Sequence, residues 1–378
     1  MRVYGAAAQK AIDALSESGF KAYYVGGCVR DVLMNKKPTD FDICTDALPD
    51  ETVKSLSKFK VIKTGIKHGT VTALIEGEAV EITTLRFDGS YSDHRRPDNV
   101  LYTKNLAEDL KRRDFTVNAM AYGYGRLYDF FGGADDISKK IIRCVGDADE
   151  RFNEDALRIM RALRFASTLG FQIEEKTSNA AVNNKDLLSE IAAERIFKEF
   201  SRLIVSDCAA RIIEEYAEIF QVIFPFRMYT EGLLRMPAET TLRFAALFES
   251  NTFVACKILK TSNEFLREAC FIAKHLNDKP YSRREIKLLL SENPYESVEK
   301  LLKIKENLSE TLLDITAKKE CFSLGSLAID GNDIIKLGIK GKDVGYILHE
   351  LLLYVIDNGS MNNRAMLIKK AAEISKKL

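Results

Sequence analysis

Asp40, Phe41 and Asp42 sit in the run YYVGGCVRDVLMNKKPTDFDICTD, which also carries Gly26, Gly27 and Arg30. Two carboxylates separated by one residue on a strand point to the same face, with Cβ atoms roughly 7 Å apart. Such a pair can hold one or two hard cations. Mg²⁺ takes carboxylate oxygens and bridges to substrate phosphates, and two such ions can clamp the attacking and leaving oxygens of a phosphoryl transfer. Glu81, in AVEITTLR, is the third carboxylate by position. Gly26 and Gly27 follow an apolar run, and a strand-Gly-Gly-helix junction offers a phosphate open backbone N–H groups and the positive end of a helix. Arg30, one turn further, is placed to pair with the same phosphate.

Two more runs carry chemistry. In LKRRDFTVNAMAY, Arg112 and Arg113 can neutralise triphosphate charge, and Asp114 or Asn118 can bond a ribose 2′-hydroxyl or hold the arginines in place. This run is expected to open a small-residue helix carrying Asn118. NEDALRIMRALRFASTLGF reads as one helix, with Asn153 as N-cap, Glu154 and Asp155 in its first turn, and Gly170 as its stop. Arg158, Arg161 and Arg164 recur along it at intervals of three. Each run alone also fits plain architecture: a surface strand, a tight turn, an exposed basic cluster, or a helix with Glu154–Arg158 and Asp155–Arg158 ion pairs worth a few tenths of a kcal/mol. The glycine pair joined to Asp-x-Asp at this short spacing favours the phosphate site.

The elements that must position these side chains fall into two textures. Up to about Asp147 the pattern is mixed: AAAQKAIDALSESG is a helix stopped by Gly19, KAYYV and FDICT are strands, CVRDVLM is a short helix, and LPDETVKSLSKF is a helix capped by Asp50. GTVTALI and AVEITTL flank Glu76, Gly77 and Glu78 as a hairpin. From Asn153 onward helical periodicity dominates, with breaks near GDADERFNED, LIVSDCAAR and AKKECFSLGS. An α/β part is followed by an all-α part.

The 378 residues, 46% hydrophobic, suit roughly two to four domains. With 56 Lys and Arg against 55 Asp and Glu, any nucleic-acid partner must be met by local patches. The seven cysteines lack C-x-x-C spacing and the four histidines (His68, His94, His275, His349) are scattered, which points to reduced thiols rather than disulfides or zinc. No signal-peptide pattern occurs and no run approaches the ~18 apolar residues of a membrane span, so a cytoplasmic protein is expected.

Taken in order, GGCVRD, DFD, HGTV, SDHRRPD, RRDFTVNAMAY and EDALRIMRALRF, with GKDVGYILHELLLYV near the end, resemble the class II tRNA nucleotidyltransferases, the CCA-adding enzymes of the polymerase-β-type nucleotidyltransferase superfamily. The motif-bearing part spans residues 20–170. The resemblance implies an α/β nucleotidyltransferase (palm) head over residues 1–147 and a base-recognising neck over 148–206, followed by a helical body over 207–317 and a helical tail over 318–378 that bind tRNA. It also implies template-independent addition of C, C and A to the 3′ end of tRNA from CTP and ATP, with release of diphosphate and with Mg²⁺ as cofactor. On the same footing Asp40 and Asp42 bind the metal, Gly27 and Arg30 hold the triphosphate, and Arg112 or Arg113 contacts the nucleotide. Asp155, Arg158, Arg161 and Arg164 then read base and phosphate.

Rival functions leave their own marks. Bacterial poly(A) polymerases share this core, but TGIKHGTVTALIEG lacks the basic-aromatic stretch of the polyadenylating relatives, and the C-terminal half is the shorter tRNA type. RFDGSYSDHRRPDNV looks like the intact loop whose loss marks CC-only relatives, while A-only addition stays open, as does the oligomeric state. A non-catalytic RNA-binding protein has no reason to keep both Asp40 and Asp42. A fused phosphohydrolase is set aside, since no His-Asp dipeptide occurs. Choice of C and A needs one acceptor and one donor, and Asp155 and Arg158 on one helical face are expected to supply them, with Glu154 orienting the arginine. Lys340 and Lys342, in GIKGKDVG, are expected tRNA contacts.

Overall fold

The computed structural model describes residues 3–88, 100–305 and 308–376. They form two units, Met1–Glu231 with Ile258–Lys260, and Gly232–Lys257 with Thr261–Leu378.

In the first unit, short runs rich in Val, Ile, Tyr and Thr make strands β1 (Ala22–Val25), β2 (Asp42–Thr45), β3 (Lys60–Ile62), β4 (Thr70–Ile75), β5 (Glu78–Thr84), β6 (Arg86–Asp88), β7 (Val100–Tyr102), β8 (Met120–Gly123) and β9 (Arg126–Asp129). Seven of them form a mixed sheet in the order β3-β4-β5-β2-β1-β8-β9, and β6 pairs with β7 apart from it. β2 and β5 run parallel; the other neighbours in the large sheet are antiparallel. The β4–β5 hairpin is where the glycine signal places it, with Glu76 (φ 52) and Gly77 (φ 85) both left-handed at the turn.

Helix α1 (Ala6–Glu17) buries Ala7, Ala8, Ala11 and Leu15 on one face of the sheet, joined there by α2 (Gly27–Leu33) and α3 (Pro49–Ser55). Asp50 is not the cap of α3. Leu48 holds that position because Pro49 pre-sets the first helical turn, and Glu51 bonds back to the Leu48 N–H at 2.7 Å. The other face carries Tyr23, Val25, Cys44, Leu85 and Ala121, covered by Leu106 and Leu110 of α4 (Leu106–Lys111). Thr116–Asn118 is a single 3₁₀ turn running into β8, not a small-residue helix. Pairing of β8 with both β1 and β9 claims the backbone groups that a helix would use.

After α5 (Gly133–Lys139) come α6 (Ala148–Glu154), α7 (Leu157–Leu169), α8 (Glu175–Asn183) and α9 (Ala193–Ile204). The single helix expected from Asn153 is therefore two. Asp147 caps α6 through the Glu150 N–H at 3.0 Å, so Asn153 and Glu154 fall in its last turn. Asp155 is extended (φ −147), and its own Oδ1 accepts the Leu157 N–H at 3.1 Å, which starts α7 afresh. Gly170, at φ 70, stops α7 as its position indicates.

The second unit is helical. Ile286, Leu290, Val298, Leu302, Leu312 and Ile315 pack one cluster, and Ile334, Ile347, Leu351, Val355 and Leu367 another. Lys287 is buried there with its ammonium donating to Ile356 O at 2.7 Å. Among the described residues no helix is long and apolar enough to cross a membrane.

Candidate active site

Asp42 opens β2 opposite Val25 of β1, and Gly26 follows Val25, so carboxylate and glycine turn lie side by side at one end of the sheet. Phe41 meets Tyr24 edge-on at 5.9 Å in the α1-side core, which leaves Asp40 and Asp42 for the other side of the chain. Asp40 precedes the strand rather than lying on it. Ile82 of β5 is in register with Ile43, which brings Glu81 beside Asp42. Burial, then repulsion from Asp40 and Glu81, pushes the Asp42 carboxyl up to about 6 against the pull of Arg113. The side chain still reaches solvent, so protein crowds it from behind while water meets it in front.

Among the described residues, no three His, Cys, Asp or Glu side chains close a metal cage, so Glu81 does not complete one with Asp40 and Asp42. A closed cage is not what Mg²⁺ requires; it keeps several waters and is held by one or two carboxylates together with substrate phosphates. Asp40 accepts a hydrogen bond from Thr39 Oγ1 at 3.1 Å, and no described cation pairs with either aspartate. Two acceptor-only carboxylates, mutually repelling and turned to solvent, fit such an ion.

Gly26 takes φ 76 and ψ −129, a region essentially closed to side chains, and a Cβ there would stand 3.3 Å from Arg113 Nη1. The glycine thus serves both the turn into α2 and the approach of an arginine. Arg30 is gripped by Asp31 through Nε at 2.9 Å and Nη2 at 2.7 Å, and donates from Nη1 to Asn118 Oδ1 at 2.6 Å. Asn118 therefore holds an arginine.

Asp109 was invisible as a functional residue in the sequence. It is 1% exposed and accepts from Arg112 through Nε at 2.9 Å and Nη2 at 2.7 Å, and from Arg113 Nη2 at 3.3 Å. Burial works to raise its pKa, but Arg113 and Arg112 together hold it below the usual carboxylate range. The signal that could have found it is the i, i+3 and i, i+4 spacing in EDLKRRD. Arg113 is the arginine beside Gly26 and Asp42, and its Nε is buried with no partner among the described residues. Arg112 donates to Arg86 O at 3.2 Å as well as to Asp109. Asp114 faces elsewhere: its Oδ2 accepts Arg161 Nε at 2.8 Å, and its Oδ1 accepts the Phe115 N–H at 2.9 Å.

At the α6–α7 break, Glu154 pairs with Arg158 at 2.6 Å, and Arg158 also donates to Arg151 O at 3.0 Å and Arg112 O at 3.3 Å. Asp155 and Arg158 do not share a helical face, because the chain leaves the helix at Asp155. The Asp155 carboxylate instead takes Arg195 Nη2 of α9 at 2.8 Å. Arg161, at 3.7 Å, and Arg164 converge on the buried Glu199 of α9, and Arg164 lies over the Phe165 ring at 3.8 Å. Burial lowers the Arg164 pKa, whereas Asp114 chiefly raises that of Arg161. Arg195 and Glu199 were missed, since four apart in ERIFKEF they look like an ordinary surface pair. Residues 89–99, which include the whole SDHRRPD run, lie outside the described residues.

An Asp pair at a strand start, a Gly-Gly turn and converging arginines on a mixed sheet define a nucleotidyltransferase. The family described as "Poly A polymerase head domain" matches residues 22–143, and "Probable RNA and SrmB- binding site of polymerase A" matches residues 170–228. A CCA-adding enzyme from Lactobacillus johnsonii is 37% identical over 95% of this chain and 95% of its own. One from Lactobacillus delbrueckii subsp. bulgaricus is 48% identical over a stretch spanning 55% of this chain and 52% of its own. The crystal structure of a Bacillus stearothermophilus CCA-adding enzyme in complex with CTP superposes with a TM-score of 0.80 at 32% identity, over 98% of both chains. A tRNA nucleotidyltransferase complexed with a primer tRNA and an incoming ATP analog gives 0.62 at 26% identity, over 82% of this chain and 98% of the other. The chain belongs to the CCA-adding enzymes.

Proposed function

We propose that this chain adds C, C and A to the 3′ end of tRNA from CTP and ATP, releasing diphosphate at each step. The observation that carries the reading is the placement, in a chain matched over 95% of its length by a CCA-adding enzyme, of the Asp40–Asp42 pair and the Gly26 turn beside Arg113, which Asp109 holds together with Arg112. Asp40 and Asp42 would hold Mg²⁺, which neutralises charge on the phosphates and activates the terminal hydroxyl. Gly26 and Gly27 give the triphosphate unobstructed backbone, while Arg30 and Arg113 supply its cations, Arg113 braced with Arg112 on Asp109 and Arg30 by Asp31 and Asn118. The RNA 3′-hydroxyl oxygen forms a bond to the α-phosphorus as the bond to the diphosphate oxygen breaks, the electron pair leaving with the diphosphate and the hydroxyl proton passing to solvent.

Cytosine and adenine present an amino donor beside a ring-nitrogen acceptor, whereas guanine and uracil present a carbonyl beside a ring N–H. Asp155, steadied by Arg195, accepts from the amino group, and Arg158, steadied by Glu154, donates to the ring nitrogen. Facing G or U, the same groups are left desolvated and unpaired at about 1–3 kcal/mol each. Arg161 and Arg164 serve alignment. The four-part division into head, neck, body and tail at residues 147, 206 and 317 belongs to this reading. So does a cytoplasmic setting, which the seven free cysteines favour.

The test is tRNA ending at its discriminator base, incubated with CTP, ATP or both and read at nucleotide resolution. CC with CTP and CCA with both are expected. A long A tract would sink the tRNA reading in favour of a poly(A) polymerase, and A added only to tRNA already ending in CC would restrict the chain to the final step.

A further inference from the structure

The catalytic face of the sheet carries a second feature that the reaction does not use. Beyond α4, a cavity of about 880 Å³ opens against β1, β8 and β9, lined on its aromatic side by Tyr23, Tyr124, Tyr128 and Phe130. Lys21, Lys104 and Arg126 line it too, and among the described residues no carboxylate does. Two acids bonded to its lining are engaged there, Asp46 with the Lys21 N–H at 2.7 Å and Glu108 with Thr103 Oγ1 at 2.5 Å.

The aromatic side is built for display. Tyr23 meets Tyr124 and Tyr128 edge-on at 5.5 and 5.2 Å, and Arg126 lies over the Tyr128 ring at 4.2 Å. Tyr124 is 60% exposed and Phe130 52%. Tyr124 also holds φ 52 at the β8–β9 turn, before Gly125 at φ 75. Such a turn is best served by Asn-Gly; a bulky ring there is a backbone outlier, and outliers of this kind gather at functional sites.

We propose that this cavity binds an unpaired stretch of the RNA substrate, with bases stacked on Tyr124 and Phe130 and phosphates drawn to Lys21, Lys104 and Arg126. The inference rests on the reading of the chain as an RNA-extending enzyme. Exposed rings with interleaved cations are how proteins hold single strands irrespective of sequence. A single nucleotide would leave rings this exposed half wet, whereas a strand covers several at once. One short helix links the cavity to the catalytic site: Asn105 at the start of α4 lines the cavity, and Arg112 and Arg113 follow the end of α4. Six helical residues separate the two ends by only about 9 Å.

The experiment follows a fluorescein-labelled uridine decamer by anisotropy across a salt series, with wild type, Tyr124→Asn and Arg126→Glu. Asn accepts the left-handed backbone, so Tyr124→Asn is expected to melt no lower than wild type yet bind the decamer at least about tenfold more weakly. Arg126→Glu is expected to flatten the dependence of log affinity on log salt by about one phosphate contact or more. Wild-type affinity in both variants overturns the proposal. So does a loss confined to free CTP, measured by equilibrium dialysis, which would make the cavity a nucleotide subsite. Extension of tRNA by the wild type is scored separately: its absence overturns the functional reading, whereas equal decamer affinities with extension intact overturn the cavity assignment alone.

Discussion

A carboxyl pushed up to about 6, as in Asp42, gives the proposed metal site a pH signature. The folded chain holds this proton more tightly than the unfolded chain does. Fold stability from the group is therefore present at low pH and lost as pH rises through about 6, while metal binding needs the ionised form that appears above it. Divalent-ion affinity, followed by calorimetry from pH 5 to 8, is expected to fall as pH drops through about 6, and Asp42→Asn should abolish that step. The same repulsion from Asp40 and Glu81 that raises the carboxyl is relieved when a cation arrives. Asp40→Ala or Asp42→Ala should each cut nucleotide incorporation by three orders of magnitude or so, with tRNA affinity by filter binding nearly unchanged. Near-normal turnover in either variant would remove the two carboxylates from the chemistry.

Among the elements, α7 and α9 carry most of what local pattern could not reveal. Strands β1, β2, β4 and β5 were legible because alternating or continuous apolar runs leave little choice, and the β4–β5 turn because Gly77 favours a left-handed turn, whereas β8 lies in the run read as a small-residue helix. Gly26, Gly27, Asp40 and Asp42 were legible for a related reason: they stand close together in sequence, so their spacing alone suggests a shared ligand. The break at Asp155 was not, because a carboxylate three residues before an arginine looks the same inside a helix as at its start. Nor were Arg195 and Glu199, whose partners lie 40 and 35 residues away. Only the fold reveals that Glu199 is buried and shared by Arg161 and Arg164. Removing one member of a buried pair leaves an uncompensated charge, so Glu199→Gln is expected to destabilise the first unit by about 3–5 kcal/mol. Denaturant titration measures this, and a loss under about 1 kcal/mol would show that water reaches the pair.

For the whole molecule, the near-zero net charge leaves RNA binding to exposed patches. Lys340 and Lys342 flank Gly341, which is at φ 66, where the helix Lys342–Asp357 begins, and both are exposed. Replacing both by Glu is expected to weaken tRNA binding several-fold and flatten its salt dependence by about two contacts, as measured by filter binding. An unchanged slope would leave them as ordinary surface lysines. The groups assigned to base choice live in a different electrical climate. Asp114, Arg161, Glu199 and Arg164 form a largely interior chain of charges, and the α6–α7 break carries two further pairs, Glu154 with Arg158 and Asp155 with Arg195. Dissolved ions screen such pairs far less than exposed ones. Accuracy and grip should therefore part company in brine: as salt rises, the rate at limiting tRNA should collapse, while the preference for CTP over UTP in those products that still form should hold nearly constant.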